Sequence, residues 1–252
     1  MARPAVVDEI TLAGGDRGCL LLHGFTGTPL EMVPLAEALA RDGIAVHVAR
    51  LAGHGTSPED LAETTWEDWV ASARQALARL RARCGSVAVG GLSMGGALAL
   101  LLAATDAPAA AVALATPIRL RPVVRGVVRA ARPVLRYAPV LRRVGPRSAE
   151  VAPYRAAYPR IPLGAVDALS ALLDQMRARL PQVRCPVLIA QGRRDWAIPP
   201  ESAAAICDGV AAPVRRLVWL PRSGHLVTLD RDRDVLFREV RAFLAAHLRA
   251  AG

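Results

Sequence analysis

The chain has 252 residues, is 53% hydrophobic and carries a net charge of +10 without a single lysine, so its basic residues are all arginine. That size and apolarity suit one large α/β domain or two small ones, with a sizeable buried core. No apolar run approaches the roughly 20 residues of a membrane span, and residues 1–9 lack the apolar centre of a signal peptide. The four cysteines, Cys19, Cys84, Cys185 and Cys207, are scattered. They form neither a disulfide framework nor a metal-ligand spacing, so a cytoplasmic protein with free thiols is the expectation.

In chain order, residues 6–12 read as an edge strand and Gly14-Gly15-Asp16 as a turn. The apolar run 19–22 suits a strand buried on both faces. It opens into a glycine-rich loop, His23-Gly24-Phe25-Thr26-Gly27-Thr28-Pro29. Residues 30–41 read as a helix that Gly43 ends, 44–49 as a buried strand, and 51–58 as a loop containing Gly53-His54-Gly55. Thr65 is a candidate N-cap for a long helix, 66–83, with Glu67 and Asp68 in its first turn and Arg79, Arg81 and Arg83 in its last. Residues 86–100 then pass from an apolar strand to an apolar helix through Gly91-Leu92-Ser93-Met94-Gly95. A further strand follows at 111–114. This alternation predicts a parallel sheet with helices on both faces.

The alternation stops between 118 and 182. No clear strand is legible there, only helical pieces punctuated by prolines, among them Pro122, Pro133, Pro139, Pro146, Pro153, Pro159 and Pro162. It resumes with a strand at 186–191 followed by Asp195, a helix at 200–208, a strand at 214–220 and then Ser223-Gly224-His225. Residues 233–249 form an amphipathic helix with Val235, Leu236, Val240, Phe243, Leu244 and Leu248 on its inner face. The predicted fold class is α/β, a mostly parallel doubly wound sheet. Residues 1–117 and 183–252 make the core, and 118–182 a helical cap inserted after strand 6. Such a cap would cover the carboxyl edge, where ligands bind in these sheets.

A serine held on a sharp strand-to-helix turn presents its hydroxyl at the strand's carboxyl end, and Gly91 and Gly95 remove side chains that would clash there. An unassisted hydroxyl is a poor nucleophile, so it needs a base, and the base needs a partner that fixes its tautomer. Of the five histidines, His225 follows the last strand directly and is the candidate base. Asp195, ending the strand before it, is the candidate acid. Asp230, Asp232 and Asp234 read as N-terminal helix charges, His23 and His54 as braces of loop backbone, His47 as a core residue and His247 as solvated. An oxyanion would take backbone N–H groups from Met94, after the nucleophile, and Phe25, on the earlier loop. Phe25 also serves as a pocket wall, and Phe25 and Met94 are the candidate substrate-binding residues.

Together, His23-Gly24-Phe25-Thr26-Gly27-Thr28-Pro29, Gly91-Leu92-Ser93-Met94-Gly95-Gly96, Asp195 with Ile198-Pro199, and Ser223-Gly224-His225 resemble the α/β-hydrolase superfamily. They are most similar to bacterial carboxylesterases and monoacylglycerol lipases with a small helical cap. Ile198 stands where many relatives have valine. The resemblance implies Ser93 as nucleophile, His225 as base, Asp195 as acid, and Phe25 and Met94 as oxyanion donors. It implies hydrolysis of short- to medium-chain acyl esters or monoacylglycerols through an acyl-enzyme, with no metal or organic cofactor. The same triad also serves C–C bond hydrolases, thioesterases and cofactor-free peroxidases. A non-catalytic ligand-binding module is the reading from another class, opposed by the filled triad positions.

Charge is concentrated in the expected cap. Residues 119–160 hold eleven arginines against one acid, Glu150, and the rest of the chain is neutral. Arg121, Arg125, Arg129, Arg132 and Arg136 recur at helical spacing beside a valine-rich side. One expectation is a helix with its apolar face on the sheet and its arginines in water. The other is a basic amphipathic segment making peripheral contact with an anionic membrane. With three Phe, three Tyr and four Trp and no recognition motif, nucleic acid is not an expected partner.

Overall fold

Nine strands and eight α-helices are present in the computed structural model, which describes residues 6–140, 151–154 and 158–249. The strands are β1 (Ile10–Leu12), β2 (Arg17–Leu22), β3 (Ala45–Ala49), β4 (Ser86–Leu92), β5 (Ala110–Leu114), β6 (Tyr137–Pro139), β7 (Arg160–Pro162), β8 (Val187–Gly192) and β9 (Arg215–Leu220). The helices are α1 (Val33–Ala40), α2 (Pro58–Ala62), α3 (Trp66–Arg81), α4 (Met94–Thr105), α5 (Pro122–Ala131), α6 (Leu163–Arg179), α7 (Glu201–Gly209) and α8 (Arg233–His247).

Seven strands form one sheet in the order β1-β3-β2-β4-β5-β8-β9. Only β1 runs antiparallel to its neighbour. From β2 the chain crosses one way to β3 and then returns past β2 to β4, so strand order reverses between β2 and β4. Ligand sites in open α/β sheets form at such a reversal, outside the strands' carboxyl ends. Strands β2, β4, β5 and β8 are almost wholly buried, which is why they read as unbroken apolar runs.

One apolar layer packs α3, α4, α6 and α7 on the sheet, and the other packs α1 and α8. Helix α4 is apolar all round because strands cover one side and α6 the other. Helix α8 buries Leu236, Val240, Phe243 and Leu244, with Leu248 just beyond its end. At roughly 1.5–3 kcal/mol per buried side chain, this stripe alone anchors the C-terminal helix.

Several elements depart from expectation, each for a local reason. The helix expected from residue 30 begins as a 3-10 turn, Pro29–Met32, and becomes α-helical at Val33. Pro34 has no N–H to give Leu30, so it fits only the first helical turn. A short helix, α2, stands inside and beyond the predicted loop: Ser57 Oγ accepts the Asp60 N–H at 3.1 Å, with Pro58 next to the cap. Five main-sheet strands precede the 118–182 insertion among the described residues, so it follows the fifth strand, not a sixth. The insertion also contains strands. β6 and β7 pair antiparallel over three residues each, with Tyr137 opposite Pro162, too short and proline-rich to show a period of two.

Helix α5 bears out one half of the plainer expectation and corrects the other: its arginines are exposed, but most of its valines do not face the sheet. Val128 is its one buried residue, while Val123 is 76% exposed and Val127 61% exposed, and Val134 beyond it 81% exposed. Two arginines reach α6: Arg132 pairs with Asp167 at 2.7 Å and Arg125 with Asp174 at 3.9 Å. Both pairs of partners are spaced two helical turns apart, so two acids on one face of α6 hold two arginines on one face of α5. Val123 and Val127 are left facing outward. Arg142, Arg143, Arg147 and Arg155 lie outside the described residues, as does Glu150.

Candidate active site

Ser93 joins β4 to α4 with φ 55° and ψ −113°. This is a strained conformation for a residue with a side chain. Its N–H donates to the Leu114 carbonyl at 2.7 Å, and its carbonyl accepts the Ala97 N–H at 3.1 Å. The two motif glycines are there for space. A Cβ on Gly91 would stand 2.2 Å from the Gly95 carbonyl, and one on Gly95 2.2 Å from the Leu22 carbonyl oxygen. At the first helical position, the Met94 N–H has no carbonyl within its own helix to meet.

The register of β2 on β4 sets Leu22 opposite Gly91, so the loop leaving β2 lies beside Ser93. A Cβ on Gly24 would come within 3.7 Å of the Ser93 Cβ. The Gly24 carbonyl accepts from His23 Nδ1 at 2.9 Å and from the Gly27 N–H at 3.1 Å. Since N–H and carbonyl point opposite ways across a trans peptide, the Phe25 N–H faces away from both donors.

His23 and His54 act on backbone. A carbonyl can only accept, so His23 carries its proton on Nδ1, and Nε2 accepts the Leu51 N–H at 3.3 Å. Burial pushes its pKa down to about 4. His54 donates Nδ1–H to the Ala52 carbonyl at 2.9 Å, and burial, with His23 nearby, holds its pKa at about 3. The two rings sit 5.1 Å apart, and Phe25 and Trp69 close the cluster. His47 is buried on β3, where Nδ1 meets Thr11 Oγ1 at 2.9 Å. His247 packs its ring against Phe243 at 4.7 Å.

Asp195 follows β8 and His225 follows β9, two adjacent parallel strands. His225 Nδ1 meets Asp195 Oδ2 at 2.8 Å, with both residues buried. Because Nδ1 donates to a carboxylate, Nε2 is the atom left to take a proton. The carboxylate is held on every side. Oδ1 accepts the Ala197 and Ile198 N–H groups at 2.9 Å each, and Oδ2 also accepts from Gln191 Nε2 at 2.9 Å. Burial pushes the Asp195 pKa up, but the His225 bond and charge, the Ile198 N–H and the Gln191 amide together hold it below the usual carboxylate value.

The aspartates read as helix charges do other work. Asp232 stands at the N-cap of α8, yet its Oδ2 accepts the Arg222 N–H at 2.7 Å and the Ser223 hydroxyl at 3.0 Å. Asp230 Oδ2 accepts the Gly224 N–H at 2.8 Å. Both therefore clamp the backbone that presents His225; Asp234 remains an exposed first-turn charge. Gln191 and Glu31 are two further buried polar groups that sequence reasoning passed over. A glutamine ending a strand and a glutamate opening a helix carry no sequence signal that separates them from ordinary ones. Among the described residues, no group of three or more His, Cys, Asp or Glu side chains is placed to hold a metal ion.

The sequence matches the profile of the alpha/beta hydrolase family over residues 19–239. It is 36% identical over 233 residues to a thermostable monoacylglycerol lipase of Bacillus sp. (strain H-257), covering 92% of each chain. It is 30% identical over 238 residues to a carboxylesterase of Bacillus subtilis (strain 168), covering 93% of this chain and 94% of that one. A solved structure from work on LipS and LipT, two metagenome-derived lipolytic enzymes, superposes with a TM-score of 0.89 at 32% identity, over 96% of this chain and 99% of that one.

Proposed function

The chain belongs to the alpha/beta hydrolase family, and on that premise we propose that it is a serine esterase of the carboxylesterase and monoacylglycerol lipase type. The observation that carries this reading is the buried Asp195–His225 pair at the same sheet edge as the strained Ser93 turn. The 36% identical monoacylglycerol lipase and the 30% identical carboxylesterase support the reaction class. Acyl esters of short to medium chain, monoacylglycerols included, are the proposed substrates.

The mechanism follows from the proposed roles. Ser93 Oγ bonds to the ester carbonyl carbon as His225 Nε2 takes its proton, and the carbonyl's π electrons move to oxygen. The N–H groups of Phe25 and Met94 receive that oxyanion. One such donor is worth ~3 kcal/mol at the transition state. Asp195 stays ionised and stabilises the imidazolium. The tetrahedral adduct collapses, the alcohol leaves with the proton from His225, and water repeats the sequence on the acyl-enzyme. The experiment is hydrolysis of p-nitrophenyl esters of increasing chain length, with monoacylglycerol and thioester substrates alongside. Thioester turnover exceeding that of every oxygen ester would replace this reading with the thioesterase one.

Residues 118–182 are proposed as the cap. Its outward valines favour one further element of the reading, peripheral contact with anionic lipid. Seven arginines of 119–160 are described, and four of them pair with acids on α2 or α6 or just beyond: Arg125 with Asp174, Arg132 with Asp167, Arg136 with Glu63 and Arg160 with Glu59. Positive charge remains in excess around an exposed apolar ridge, the composition that an anionic interface attracts. No helix among the described residues is long and apolar enough to cross a membrane.

A further inference from the structure

Glu31 is a carboxylate buried without a helix to justify it. It lies in the 3-10 turn Pro29–Met32, 7% exposed, with its side chain turned back onto the loop after β2. Oε2 accepts the Gly24 N–H at 3.2 Å. The carboxyl group covers Gly27 so closely that a Cβ there would stand 2.3 Å from Oε2 and 2.5 Å from Cδ and Oε1. The Glu31 carbonyl accepts the Thr228 hydroxyl at 2.8 Å, three residues past His225.

Its position explains it. Glu31 fixes the plane of the His23–Gly24 peptide through the Gly24 N–H. The carbonyl of the next peptide, Gly24–Phe25, is fixed by His23 and by Gly27, the residue Glu31 packs on. Peptide planes turn only about the two bonds of the intervening Cα. With both planes held, the Phe25 N–H cannot swing out of the site.

We propose that Glu31 is a positioning residue of the oxyanion hole: its carboxylate locks the Gly24 peptide so that the Phe25 N–H stays aimed at the tetrahedral intermediate. The Thr228 bond ties the same turn to the loop of the base, so donor and base share one mount. This inference rests on the reading of Ser93 as nucleophile and the Phe25 N–H as oxyanion donor. It predicts an effect on the transition state and not on substrate binding, because the oxyanion exists only after attack.

The test compares Glu31→Met, which keeps volume and removes the acceptor, with Glu31→Gln, which keeps an acceptor oxygen. For p-nitrophenyl butyrate, the methionine variant loses about tenfold or more in kcat with KM within about threefold. Inhibition by a trifluoromethyl ketone, which forms a tetrahedral adduct on the serine, weakens by a similar factor. Glutamine recovers most of the loss. Unchanged kcat in Glu31→Met, or a loss confined to KM, overturns the proposal. Should the methionine variant fail to fold, Gly27→Ala replaces it, since the added Cβ displaces the carboxylate from Gly24 without removing it. The same kcat-selective loss is expected, and normal kcat overturns the proposal. Ser93→Ala is assayed in parallel. Turnover surviving there brings down the nucleophile reading and this inference with it. Lost turnover there, with normal kcat in Glu31→Met, brings down this inference alone.

Discussion

Asp195 and His225 meet at 2.8 Å although thirty residues of chain separate them. Two parallel neighbours, β8 and β9, deliver them to one edge, and each loop is pinned separately. Gln191 and the Ala197 and Ile198 N–H groups hold Asp195, while Asp230 and Asp232 hold the backbone before His225. Asp195→Asn keeps the shape but lets the imidazole adopt the wrong tautomer. We expect kcat to fall by about 10⁴ with the fold unchanged. A loss below tenfold would assign the acid's role elsewhere.

Ser93→Ala should abolish esterase turnover and labelling by a fluorophosphonate. Ser93→Gly should do the same and also stabilise the protein. The backbone at φ 55° costs a side-chain-bearing residue of the order of 1–3 kcal/mol, and glycine relieves most of that. Thermal unfolding of the two variants checks this, the glycine variant having the higher midpoint.

Acid should destabilise the fold through His23 and His54, buried at the loop after β2. His23 is buried neutral with its pKa lowered from 6.5 to about 4. Below pH 6.5 the unfolded chain binds a proton that the folded chain refuses. The stability it contributes is therefore present above pH 6.5 and lost as pH falls through about 4. A shift of that size corresponds to about 3 kcal/mol. His54, held at about 3, extends the loss further into acid. Denaturant midpoints measured from pH 7 to pH 4 should fall, and a flat profile would contradict the burial of both rings.

Gly95→Ala should be a severely damaging single-methyl addition at the site. The new Cβ would stand 2.2 Å from the Leu22 carbonyl oxygen and 2.6 Å from that of His23, forcing β2 and α4 apart. Overpacking of this kind costs typically 1–3 kcal/mol or more. The expected result is a lower unfolding midpoint together with lost activity. Gly126→Ala, with nothing within 4 Å of the added methyl, is the matched control on an exposed helix.

Contact with anionic lipid should be visible by sedimentation with phosphatidylglycerol vesicles. Binding is expected at low salt and lost near 0.5 M, because surface arginines contribute about 1 kcal/mol each and are screened. Val127→Asp, on the outward face, should weaken binding while hydrolysis of a soluble ester continues. Absence of salt-sensitive binding would remove the membrane from the reading.

The sheet was legible because buried parallel strands are continuous apolar runs, and the Ser93 turn because glycine is the residue its sterics allow. That Asp195 and His225 would meet at one sheet edge could be read from chain order alone. Asp230, Asp232, Gln191 and Glu31 could not, because a carboxylate or amide that clamps backbone has the same local sequence as one that faces water; only the tertiary register distinguishes them. Helix α5 was legible as amphipathic but not in its orientation. Which face turns inward depended on Asp167 and Asp174, about forty residues later in the chain.

Among the described residues, the hydrogen bonds to the Ser93 backbone, the Asp195 carboxylate, the His225 imidazole and the Gly24 peptide come from outside 118–182, while Arg121 of the insertion reaches the Trp196 carbonyl beside Asp195. The chemical machinery is in this sense indifferent to what is mounted above it. An insertion of different length or charge at the end of β5 would leave those described bonds in place. Such a scaffold lets substrate preference diversify between lineages while the bond-breaking step is inherited intact.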